Sequence, residues 1–249
     1  MFEFLSFLDP FHVSDYVAMV FFVFAWFAYA KYTRKKVKKR DNLNQAMFKV
    51  RKQWVYQSMM AERHHRVQDA QVMNILHRGI SFFVSTTILV IAGLFAVLSS
   101  GDSAIWLINS LPLAADNVLA TWQFKVLLNI LVFVICFFRL TWSLRQNQYI
   151  NIALMSTPCL KHEKHADVDP VVKDLSLMLT SSGDNFNYAI RGYYFGLSMF
   201  VWLFNPYLFI LSNVVVMLVL YRREFYSSTL RLLKEFSLHH RKLDQSYKR

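Results

Sequence analysis

Arg63, Arg66 and Asp69 cluster just ahead of a long apolar run, and Arg66 and Asp69, three residues apart, share one face of a helix. Arg145 leaves another apolar run beside Trp142, Gln146 and Asn147. Asn187 and Arg191 open a third run, which Arg222, Arg223 and Glu224 close. Guanidinium and amide groups placed at such boundaries converge naturally into a positive vestibule that binds an anionic solute or selects anions at a pore mouth. The plainer use of the same arginines is to anchor helices to anionic lipid or to pair locally with Asp69 or Glu224. Asn205-Pro206 lies within an apolar stretch. Proline removes a backbone donor and disfavours helix at the residue before it. Broken helices of this kind expose backbone groups that hold ions or solutes, or they simply turn with those groups satisfied by neighbours. Asn205 and Pro206 therefore join the arginine cluster as candidates for a solute pathway.

Other chemistries find little support. Glu62 and His65 form a Glu-x-x-His pair, with Asp69 a turn away, but a dinuclear site needs a second matching helix. Only His162-Glu163-Lys164-His165 and His239-His240 offer partners, and the lysines beside the first argue against it. The sequence holds no Walker loop, Gly-x-Ser-x-Gly elbow, His-Glu-x-x-His or Cys/His nucleophile pair. Of the two cysteines, Cys136 falls within an apolar run and Cys159 in a polar loop, so a disulfide framework is not expected. No enzyme activity, metal or cofactor is expected.

The elements that must position these residues follow from charge and hydropathy. The 249 residues are 55% hydrophobic yet carry a net charge of +12, a combination natural to a chain whose apolar and basic residues segregate into spans and loops. One membrane domain over 1–249 is expected, with apolar segments at about 13–30, 80–98, 122–140 and 189–220. Lys and Arg crowd the stretch Lys31–Arg78 and the polar segments Thr141–Ile190 and Tyr221–Arg249, while the loop Ser99–Thr121 has neither. By the positive-inside rule the N-terminus is outside, the basic loops are cytoplasmic, and the protein sits in the cytoplasmic (inner) membrane. Ala28-Tyr29-Ala30 imitates a signal cleavage site, but no Lys or Arg precedes it, so a retained span is expected. The run Lys31–Arg40 reads as a topology signal in contact with anionic lipid, not as a nucleic-acid site. Lys125 is expected to snorkel to the outer surface. No ionisable residue falls near the middle of the second or third stretch, which speaks against a proton relay.

The fourth segment is too long for one straight span, since about 32 helical residues rise about 48 Å. It is either one kinked helix or a hairpin turning at Asn205-Pro206. The basic tail 221–249 favours the hairpin, which returns that tail to the cytoplasm. Between Pro10 and Gly79 there is no Gly or Pro, so residues 42–79 read as one long cytoplasmic helix. Its stripe of Val50, Trp54 and Met59 needs a cover, from the Pro170–Thr180 segment, the tail helix or another subunit. Lys161–Pro170 reads as a loop, Asp169-Pro170 as a helix start, and Gly183-Asp184-Asn185 as a turn. Gly192 and Gly196 form a Gly-x-x-x-Gly pattern that permits close packing within or between chains.

Several stretches carry a family resemblance together: Arg66-Val67-Gln68-Asp69-Ala70-Gln71, Ser81-Phe82-Phe83-Val84-Ser85-Thr86-Thr87-Ile88-Leu89, Trp142-Ser143-Leu144-Arg145-Gln146-Asn147-Gln148-Tyr149, Phe186-Asn187-Tyr188-Ala189-Ile190-Arg191-Gly192-Tyr193-Tyr194-Phe195 and Leu220-Tyr221-Arg222-Arg223-Glu224-Phe225. In these the chain resembles the bacterial and plant membrane family catalogued as domain of unknown function 599. The resemblance implies an integral membrane location and assigns no functional residue. The expected fold is all-α: three spans plus a fourth, Asn-Pro-broken segment, with a long cytoplasmic helix between the first two. The expected function is a homo-oligomeric channel or transporter-like protein for a small, anionic solute, in contact with the bilayer and its anionic lipids and not with nucleic acid. The alternative is a membrane scaffold that binds a partner through the cytoplasmic helix.

Overall fold

The computed structural model describes residues 12–36, 43–60, 66–110, 115, 118–158 and 165–247, with the side chains of 27, 30–36, 66, 165–167 and 240–247 outside that description. All of its regular structure is helical: α1 (Val13–Lys36), α2 (Leu43–Met60), α3 (Arg66–Ser99), α4 (Gly101–Asn109), α5 (Leu119–Ser156), α6 (His165–Trp202), α7 (Pro206–Phe225) and α8 (Ser228–Tyr247). Among the described residues two helices are long and apolar enough to cross a membrane, α3 over Val67–Ser99 and α5 over Leu119–Ser156, and α1 carries a shorter apolar run, Val13–Trp26.

The contacts divide the chain into two compact units. The first holds residues up to Lys35, Ser85–Phe137 and Ala189–Leu220; the second holds Lys36–Val84, Phe138–Tyr188 and from Tyr221 onward. The apolar segments thus gather in unit 1 and the basic segments in unit 2.

In unit 1, α5 presents Trp122, Val126, Ile130 and Phe133 at helical spacing to Leu94 of α3, Ile108 of α4 and Leu203. On the α1 side, Phe22 and Trp26 pack on Phe195 of α6, with ring centroids 6.1 and 5.7 Å apart. Gly192 and Gly196 belong to this packing. A Cβ on Gly192 would collide with the Cys136 thiol, and one on Gly196 would come within 2.8 Å of the Phe133 ring. The Gly-x-x-x-Gly pattern therefore seats α6 against α5 within one chain.

Residues 189–220 form a hairpin. The indole of Trp202 stacks on Phe209 at 5.0 Å, and Ser198 Oγ donates to Asn213 Oδ1 at 3.1 Å. Both pairs are centred on the Asn205-Pro206 bond, so α6 and α7 run antiparallel.

In unit 2, α6 offers Val168, Val172, Leu175 and Leu179, spaced four, three and four, to Val55 and Met59 of α2, Met73 of α3, and Ile150 and Leu154 of α5. Ser143 and Ser182 hold α5 and α6 together by reciprocal bonds from each hydroxyl to the other's carbonyl, at 2.8 and 3.0 Å.

Three expectations are corrected here. Residues 42–79 are not one helix. Trp54 Nε1 donates to Asp69 Oδ1 at 2.8 Å and Ser58 Oγ to Asp69 Oδ2 at 2.5 Å, whereas 15 residues of continuous helix would part Trp54 and Asp69 by about 22 Å. α2 and α3 are therefore separate helices packed on each other, and Met59 of the stripe, with Val55 beside it, is buried in this core. Gly183-Asp184-Asn185 is not a turn but lies inside α6. Gly183 is there because the Arg51 guanidinium lies where a Cβ would sit, at 2.6 Å. Finally, α6 already runs from His165, so 165–170 of the expected loop are helical and Pro170 lies inside the helix, not at its start.

Candidate functional site

A deeply buried charged pair of unit 1 lies where α1, α5 and α6 meet. Asp15 sits in the first turn of α1, Lys125 in the second turn of α5, and Trp202 ends α6. Lys125 Nζ lies 2.8 Å from Asp15 Oδ1, with the two side chains only 1% and 4% exposed. Trp202 Nε1 donates to the same oxygen at 2.8 Å, and the ammonium also lies 5.5 Å from the centroid of the Trp202 ring. One carboxylate oxygen thus takes both a charged and a neutral donor. The arrangement corrects the expectation that Lys125 snorkels outward: with Asp15 within reach, pairing inside leaves no charge uncompensated.

One turn further along the same face of α5 is Asn129. It is fully buried, and neither its amide nitrogen nor its oxygen has a hydrogen-bond partner among the described residues. The indole N–H of Trp122, one turn the other way, is likewise buried and unpartnered. Orphaned buried polar atoms cost about 1–3 kcal/mol each and commonly mark a place taken by water or a solute. Unit 1 therefore holds a strip of polar groups, Trp122, Lys125 and Asn129, on an otherwise apolar helix.

The residues singled out from sequence fall as follows. Arg63 and the side chain of Arg66 lie outside the described residues, as do Glu62, His65 and the 162–165 side chains. Asp69 is buried and spent on Trp54 and Ser58, holding α2 against α3. Arg145 is exposed. Asn187 donates to Asn44 Oδ1 at 3.1 Å, and Asn44 in turn donates to Asp184 at 2.9 Å. Arg191 lies over the Tyr29 ring, 5.7 Å from its centroid. Asn205 caps α7, its Oδ1 accepting from Tyr207 N at 2.8 Å, while Pro206 takes the first helical position, where no N–H is needed. The carbonyl of Phe204 in this turn accepts from Ala115 N at 2.9 Å. The Asn-Pro break is thus a capped turn with its backbone engaged, and the charge beside it belongs to Asp15 and Lys125.

Asp15 and Lys125 each have an ordinary solitary reading, as a helix cap and as a snorkelling lysine. The usable signal was their relation. Each is a lone charge within about two turns of the start of an apolar stretch, the two have opposite sign, and both stretches start from the same expected side.

The described residues, all-helical, with two helices suited to a bilayer, an internal ion pair and a capped helical hairpin, define a class of architecture, not an activity. The chain belongs to the family described as protein of unknown function, DUF599, which matches residues 17–229. No curated protein and no solved structure matches it.

Proposed function

We propose that the protein is a multi-pass transporter or channel-like protein of the cytoplasmic membrane that moves a small anionic solute, works as a homo-oligomer and has no enzymatic role. In this reading the apolar segments lie in the bilayer with the N-terminus outside, and the Lys- and Arg-rich segments face the cytoplasm in contact with anionic lipid. The antiparallel course of α6 and α7 supports return of the basic tail to that same side. Helix length supports it too: at 38 residues each, α5 and α6 rise about 57 Å, far more than the ~30 Å hydrocarbon core, so both extend beyond the bilayer.

The observation that carries the reading is the buried Asp15–Lys125 pair beside Asn129, whose side chain has no hydrogen-bond partner among the described residues. Ionisable groups inside membrane helices are costly and mark ion or substrate paths. An anion that takes over the Lys125 ammonium from Asp15 gains a charge-assisted donor, and Asn129 offers an amide one turn deeper. Burial of Met59 of α2 in the unit 2 core supports this reading over a scaffold that binds a partner through α2.

The test is flux of chloride, phosphate and short carboxylates through purified protein in liposomes, beside folded Lys125→Met and Asn129→Leu proteins. Wild-type flux that both variants lose supports the reading. Flux no greater than in empty vesicles, from protein shown to be correctly inserted, refutes it, as does flux that both variants retain.

A further inference from the structure

Unit 2 contains a cavity of ≈ 430 Å³ between α2, α3, α5 and α6. Its walls are mostly apolar, with Val50, Val72, Ile75, Leu76, Ile80 and Phe186 among them, and Arg51 of α2 also lines it. The volume lies within the ~300–1,000 Å³ usual for small-molecule sites.

Arg51 is poorly matched to its surroundings. Its one hydrogen bond among the described residues is a long contact from Nη1 to Thr180 Oγ1 at 3.5 Å. No carboxylate among them forms a salt bridge with it. Burial lowers its pKa from the ordinary arginine value, and the more distant charge of Asp184 offsets this in part. The group stays cationic, as arginine does in proteins. A guanidinium offers five donors in a planar fork suited to carboxylate or phosphate. Gly183 deepens the point. The chain keeps a residue without Cβ in the middle of α6, at a helix-propensity cost of about 1 kcal/mol, and so leaves the space that the guanidinium fills. Half-buried and without a carboxylate in contact, the guanidinium keeps donors that an anion in the cavity can take.

We infer that this cavity binds a single-chain anionic amphiphile, its hydrocarbon chain against Val72, Ile75, Leu76 and Ile80 and its carboxylate or phosphate head on Arg51. Charge complementarity selects the head, and the apolar walls select the chain. The volume suits one acyl chain better than a two-chain lipid. The site lies wholly within unit 2 and does not depend on the solute pathway proposed for unit 1.

Gly79 supplies a clean control. It lines the cavity, and a Cβ placed on it meets nothing within 4 Å. Gly79→Leu should therefore occupy the cavity without disturbing the packing around it. Gly183→Ala should displace the guanidinium, the flexible end of a side chain, while favouring the helix.

The experiment uses the full chain in phosphatidylcholine nanodiscs with trace photoactivatable probes: a long-chain fatty acid, its lysophosphatidate counterpart, and an uncharged fatty amide. Adducts are mapped by mass spectrometry. The inference expects adducts from an anionic probe on residues 47–54 and 72–80. These should fall roughly tenfold in Arg51→Gln and Gly183→Ala, as loss of one charge-assisted hydrogen bond implies, and vanish in Gly79→Leu. Comparison of the two anionic probes shows whether carboxylate or phosphate is preferred. Equal labelling by the amide, or adducts that none of the three folded variants reduces, overturns it.

Discussion

Replacing Lys125 with Met removes the ammonium and keeps most of the stem, so it isolates the worth of one buried charge. In the wild type Nζ is 2.8 Å from Asp15 Oδ1, and both side chains are almost fully covered. Lys125→Met leaves the Asp15 carboxylate buried, with the Trp202 indole still donating to it. Breaking a buried pair from one side costs about 3–5 kcal/mol, two to nearly four orders of magnitude in the folding equilibrium. Asp15→Leu, which strands the ammonium, should cost a similar amount. The double variant removes both charges and should recover most of that loss, because an apolar pair of similar volume is often neutral or about 1–4 kcal/mol better. The recovery will be reduced by the stranded Trp202 N–H, worth about 1–3 kcal/mol. The assay is reversible unfolding of the purified protein by a denaturing detergent, followed by tryptophan fluorescence and circular dichroism, for all four proteins of the cycle. Lys125→Met within ~1 kcal/mol of wild type, the range of an exposed pair, would refute the argument. Additive single costs in the double variant would do the same.

The other expectations concern packing and sidedness. Gly196→Leu should cost at least about 1–3 kcal/mol through overpacking against Phe133, without changing the oligomeric state, because the contact lies within one chain. Asp69→Leu should strand the Trp54 indole and Ser58 hydroxyl and loosen α2 from α3 by about 1–3 kcal/mol per lost partner, read as faster amide exchange over 43–60 with little change over 119–137. With single cysteines at Asp102 and Glu235, both exposed, an impermeant maleimide should label the first on intact cells and the second only after permeabilisation; label on both in intact cells would reverse the side proposed for the tail.

Much of the helical framework was readable because long apolar runs and Asn205-Pro206 are strong local signals. Pro206 at the start of α7, with Asn205 as its cap, is where local chemistry puts it. What escaped notice was set by distant partners. The sequence has neither Gly nor Pro between α2 and α3, so their separation shows only in Asp69 bonding Trp54 and Ser58. Gly183 looked like a turn because glycine's other use, making room, depends on Arg51, which lies far away in sequence. The same holds for the ion pair: a cap and a snorkelling lysine are the best local readings of Asp15 and Lys125, and only the packing of α1 against α5 brings them together.

The partners of Asp15 also impose an order on synthesis. Trp202, whose indole shares the Asp15 oxygen with Lys125, lies 187 residues later. At roughly 5–20 residues per second, Asp15 waits about 9–37 s for that donor. Over the same period the hairpin contacts of Ser198 with Asn213 and Trp202 with Phe209 can form almost as soon as they are made, because their partners are near neighbours in sequence. Under the proposed topology, α1 must enter the bilayer with its carboxylate unpaired. A position in the first turn of the helix suits that interval, for the group can stay in contact with water until α5 and then α6 arrive to cover it. Final closure of the Asp15 end of unit 1 is therefore a late step, and a ribosome stalled before α6 should hold a nascent chain in which Asp15 is still open to solvent.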